Sequence, residues 1–123
     1  VLRNSPIIGF VPTTDAERSR AFYVDVLKLD FVSDDQFALV VRTQSSMIRI
    51  AKTENFTPVP YTVLGWEVSA IEEQVQALSA AGVSFERYPY LPQGELGIWT
   101  TPDGSKVAWF KDPDGNLLSL SQH

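Results

Sequence analysis

The sequence contains no cysteine and a single histidine, His123, its last residue. Without thiols there is no disulfide, no thiolate metal site and no thiol nucleophile. No serine stands in a nucleophile-elbow pattern either. A surplus of positive charge is also missing: ten Lys and Arg stand against fifteen Asp and Glu, for a formal net charge of −5, and the basic residues are scattered. Phosphate neutralisation needs clustered cations, so nucleic acid is not an expected partner. No run approaches the roughly 18 apolar residues of a membrane span, and the start lacks the basic-then-apolar pattern of a secretory leader. These absences imply a soluble, cytoplasmic protein with no membrane partner.

What is present is enough apolar material for one core, 44% hydrophobic residues in 123, so one domain over 1–123 is expected. The clearest local signal is Trp109 to Leu120, where Asp112-Pro113-Asp114-Gly115-Asn116 separates two apolar runs as a tight turn separates two strands. Thr101-Pro102-Asp103-Gly104-Ser105 has the same chemistry, so Leu96 to Gln122 reads as a three-stranded antiparallel meander.

Upstream, Pro6 to Val11 suits a buried strand, and Thr14-Asp15-Ala16-Glu17 has capping-box spacing, with Thr14 as the cap and Glu17 reaching back. Ser19, Phe22, Tyr23, Val26 and Leu27 form the apolar stripe of the helix that follows. Three strands are expected at Phe31–Ser33, Phe37–Arg42 and Met47–Lys52. The pattern then restarts: a strand over Thr62–Val68, a second capping box at Ser69-Ala70-Ile71-Glu72, a helix, and Gly82 where a C-terminal cap needs positive φ. The expected organisation is two βαβββ modules, about 5–52 and 61–122, joined by a linker over about 53–60.

Thr14 to Tyr23 followed by Val26-Leu27, the restart at Trp66-Glu67-Val68, Ala80-Ala81-Gly82-Val83, and Trp109 to Asn116 together resemble the vicinal oxygen chelate superfamily of glyoxalases, bleomycin resistance proteins and dioxygenases. The resemblance implies an α+β fold in which two tandem βαβββ modules form a curled, cup-like mixed sheet with helices outside. It also implies a homodimer. In metal-binding members a divalent ion sits in the cup on four strand positions, which fall here on Ile8, Arg49, Val63 and Ser119. None is a usual metal ligand, and an Arg would repel the ion. The chain is therefore expected to hold no metal and no cofactor. His123 is expected to be a mobile end group rather than a ligand.

Strand alternation sends Ile8, Phe10, Arg49, Val63, Glu67 and Ser119 toward the cup and Trp66 toward the core. Trp99 and Trp109 are candidate stacking walls, with a core or interface role as the alternative. The loop Glu86 to Gly97 reads as a rim over the cup or as cover for a sheet edge. Arg49 and Glu67 read either as ligand contacts or as a structural pair. Lys28 stands where the family commonly has Gly, so the first helix is expected to end differently. The functional expectation is a metal-independent protein that binds a small, partly apolar organic molecule, by sequestration or carriage. The alternative is a glyoxalase-like lyase or isomerase, or a dioxygenase-type enzyme, with a relocated metal or none.

Overall fold

The computed structural model describes residues 1–123, which divide into two compact units, Val1–Thr57 and Pro58–His123. Each is a βαβββ module with a four-stranded mixed sheet. In the first, β1 (Ile8–Thr13) leads into α1 (Ala16–Arg20), then β2 (Asp30–Asp34), β3 (Ala38–Arg42) and β4 (Met47–Lys52), in the sheet order β1-β4-β3-β2. In the second, β5 (Leu64–Glu67), α2 (Ile71–Ala80), β6 (Trp99–Thr100), β7 (Lys106–Lys111) and β8 (Leu117–Gln122) give the order β5-β8-β7-β6. The first strand of each module pairs parallel to the last; the other pairings are antiparallel.

Each sheet buries one face against its helix. In the first unit Val11, Leu39, Val41, Ile48 and Ile50 are buried along with Tyr23; in the second, Ala108, Phe110, Leu118 and Leu120 are buried along with Ile71 and Val75. Trp66 belongs to this side, its ring stacked 6.3 Å from Phe110.

Both helix starts lie one residue later than the capping boxes suggest. Asp15 is the N-cap of α1, with its carboxylate accepting from the Arg18 N–H at 3.1 Å. The reason lies in β1, which runs on to Thr13. The Thr13 hydroxyl is buried 2.6 Å from that of Ser19 and accepts the Asp15 N–H, so the chain turns only at Asp15. The N-cap of α2 is Ala70, which has no capping side chain; the amide of Gln122 accepts the Ile71 N–H instead, at 2.8 Å. Glu72 is turned away to Lys106, 2.6 Å distant. The 55-residue offset of the repeat survives, now from Asp15 to Ala70.

Two features at the end of α1 were not legible as pattern. Ala21–Val26 continues the helix as a π-helix, closed by the Leu27 N–H on the Phe22 carbonyl at 2.9 Å. Lys28 then adopts φ +64°, and the Leu29 N–H reaches the Tyr23 carbonyl at 3.0 Å. Lys takes the left-handed conformation that Gly would take without strain.

The terminal turn is as the sequence implies. Asp112, buried, accepts from the Asp114 N–H, the Asn116 N–H and the Asn116 side-chain amide, all within 2.8–2.9 Å. The meander's first strand is shorter than expected, only Trp99 and Thr100.

Candidate functional site

The face of each sheet opposite its helix carries the candidate residues. In the first unit the β1–β4 register sets Ile8 beside Met47 and Phe10 beside Arg49. Ile8 and Phe10 are 47% and 63% exposed, and Arg49 is half-buried. The three therefore share a partly apolar, one-cation face within that unit. Arg49 joins none of the ion pairs; its charge helps hold the nearby Asp35 carboxyl low, after the Phe37 and Ala38 N–H groups.

In the second unit the register places Gly65 beside Ser119 and Ser119 beside Trp109, with Trp99 opposite Val107 on the same face. Val63 lies just before β5 and is 37% exposed. A Cβ on Gly65 would stand 2.6 Å from the Ser119 hydroxyl, so glycine is what lets the two strands close there. Glu67, exposed at the end of β5, is engaged within its own unit. It accepts the backbone N–H of His123 at 2.9 Å and its ring Nδ1 at 2.5 Å. His123, expected to be an unattached end group, has a partner in Glu67. These two bonds, the backbone one first, hold the Glu67 carboxyl below its ordinary value of 4.5.

Trp99 and Trp109 are neither core nor isolated. Their rings stack at 6.2 Å, Tyr88 meets Trp109 edge-on at 5.5 Å, and Tyr90 lies 5.7 Å from Tyr88. Four rings thus form a continuous aromatic wall. Beside it, a hollow of about 240 Å³ is lined by Tyr61, Tyr88, Tyr90, Leu91, Trp109 and Leu117 among others, none charged. Burial, then the charge of Glu86 and the neighbouring Tyr90, raises the Tyr88 phenol above 10.0.

The loop is held from inside by one side chain. The Gln93 amide oxygen accepts the Tyr88 N–H at 2.7 Å, while its nitrogen donates to the Glu86 and Gly97 carbonyls at 2.9 and 2.8 Å. Arg87 adds bonds to the Gly94 and Glu95 carbonyls. The loop also covers a sheet edge: Phe85 bridges Phe110 and the Glu86 N–H donates to the Trp109 carbonyl, where β6 has not yet begun to pair with β7. Sequence reasoning found the rings but missed Gln93, whose partners are all backbone groups.

With this geometry in place, comparison with known proteins decides the family. Residues 7–120 match the family model described as the Glyoxalase/Bleomycin resistance protein/Dioxygenase superfamily. The chain belongs to that superfamily. No curated protein matches it significantly. Among solved structures, a superfamily member from Sphaerobacter thermophilus is 22% identical with a TM-score of 0.78, all of each chain being covered. A bleomycin resistance determinant encoded on the transposon Tn5 is 19% identical with a TM-score of 0.77, over 98% of both chains. A bleomycin-binding protein complexed with bleomycin is 19% identical with a TM-score of 0.75, over 98% of this chain and 99% of that one. At these identities the likeness establishes the fold.

The four positions at which the resemblance implies metal ligands do not suit that role by their side chains. Ile8 and Val63 have no side-chain donor atom, Arg49 is a cation, and the nearly buried Ser119 hydroxyl faces Gly65. Nor does any group of three or more His, Asp or Glu side chains converge as metal ligands. No helix is long and apolar enough to cross a membrane.

Proposed function

We propose that this superfamily member is a metal-independent binding protein for a small, partly apolar organic molecule, acting by sequestration or carriage. The observation that carries the reading is the aromatic wall Trp99–Trp109–Tyr88–Tyr90 with the uncharged hollow beside it. Such a concave, mostly apolar surface with a few hydroxyls suits a small ligand. Val63, Ser119 and Glu67 border the same sheet face as polar and apolar trim. Taken by itself, the first unit's sheet face offers Ile8, Phe10 and Arg49 as ligand contacts of its own, Arg49 for a carbonyl or anionic group. The bleomycin-binding and bleomycin-resistance neighbours support a binding role by analogy of fold. A homodimer in the cytoplasm is part of the proposal, and the exposed Ile7 and Phe37 are apolar area that a second copy would cover.

The test is ligand-observed NMR of the untagged protein against a panel of cationic, neutral and anionic aromatic compounds, in EDTA. Binding that persists in EDTA and is lost in Trp109→Leu supports the reading. Binding that requires a divalent ion, or no binding by any compound, overturns it.

A second reading, a lyase, isomerase or dioxygenase-type enzyme, is favoured by one observation. Glu67 holds the His123 imidazole through Nδ1, the arrangement that leaves Nε2 available for proton transfer. Turnover abolished by His123→Ala would establish it.

A further inference from the structure

The shape and charge of the hollow say more than that it is aromatic. Tyr88 and Trp109 meet at 81°, so the exposed parts of their faces form a corner. Tyr90 is tilted 32° from Tyr88, and Tyr61 stands at the lining as a further phenol. A flat aromatic ligand is best held in a slot between parallel rings, whereas rings set at right angles close around a rounded group. The faces of Tyr and Trp are the negative regions of their quadrupoles, which attract cations.

No lining side chain carries charge, so nothing in the hollow offers an ion pair to an anion. The nearest cation along the strand, Lys111, is matched by Glu86 at 3.5 Å. The chain as a whole carries −5, which favours arrival of a cation.

The geometry points to an organic ammonium ion of the trimethylammonium type as the ligand group that the hollow lined by Tyr61, Tyr88, Tyr90 and Trp109 takes. This rests on the reading of that face as a binding site. A methylated ammonium is weakly hydrated and rounded, so it enters an aromatic corner at little desolvation cost. A primary ammonium, strongly hydrated, does not share that advantage.

The experiment compares choline, its neutral isostere with tert-butyl in place of trimethylammonium, and ethanolamine, by NMR titration of the full chain. Expected is binding of choline at least roughly tenfold tighter than either comparator, with an upfield ring-current shift of the N-methyl protons. The preference is expected to be lost in Trp109→Leu and, as a safeguard against misfolding at a half-buried site, in Tyr90→Leu, a residue that is 78% exposed.

Equal or tighter binding of the neutral isostere overturns the inference while leaving the binding role intact. Ethanolamine binding as tightly as choline overturns it too, because charge alone would then suffice. Binding of the aromatic panel without choline fails the inference but not the function; no binding by any compound fails both.

Discussion

Glu67 and His123 are joined by two hydrogen bonds to one carboxylate, from the His123 backbone N–H and from its ring. Both stabilise the ionised carboxylate, so the folded pKa lies below the ordinary 4.5. The stability this contributes is present above the ordinary value and is lost as pH falls through the lowered one. In a carboxyl-carbon NMR titration Glu67 should therefore have its midpoint below 4.5. In His123→Ala the midpoint should rise only in part, because the larger cause is a backbone N–H that the substitution keeps. A full return to the ordinary value would show that the backbone bond does not form.

Lys28 at φ +64° makes the end of the first helix a site for gain. Lys28→Gly should stabilise by about 1 kcal/mol in urea unfolding, since a left-handed L-residue costs about that much and the side chain is exposed. Lys28→Ala, which keeps the Cβ, should give no such gain.

Gly65 and Ser119 are coupled by the 2.6 Å approach that a Cβ would make to the hydroxyl. Gly65→Ala should destabilise by about 1 kcal/mol, the low end of an overpacking cost because the hydroxyl can rotate away. In the Ser119→Ala background the penalty should shrink, giving a double-mutant coupling of at least about 0.5 kcal/mol. Additive behaviour would mean that the strands already stand further apart.

Gln93→Ala removes three bonds to backbone groups of the loop at once. The expected loss is about 2 kcal/mol, because partly buried donors and acceptors are left without partners. Amide exchange at Tyr88 should accelerate, and any ligand held by the Tyr88–Trp109 corner should weaken in step.

Much of this architecture is written locally. Alternation in Met47–Lys52 and the Pro-Asp-Gly-Asn turn give strands, faces and the meander, because period-two burial and turn chemistry are properties of neighbouring residues. What escaped depends on distant partners. Asp15 replaces Thr14 as cap because the buried contact of Thr13 with Ser19 carries the strand on to Thr13. Gln122 satisfies the start of α2 across 51 residues, and Glu67 finds His123 across 56. That second pairing follows from the register: Glu67 lies beside Ser121 in the parallel pair, and His123 follows with the same parity. The candidate rings were legible, but their right-angled corner was not, since it depends on how Gln93 folds the loop.

The two modules keep step at their helix caps, Asp15 and Ala70, 55 residues apart, yet their last strands begin at Met47 and Leu117, 70 apart. The difference accumulates before β6, in the stretch that holds Tyr88, Tyr90 and Gln93. As a duplicated unit, the molecule carries its added length in one insertion, which leaves the pairing of β7 with β8 intact and brings its own internal brace. The added length lies where the repeat is free to differ, and the symmetry holds where the sheet requires it.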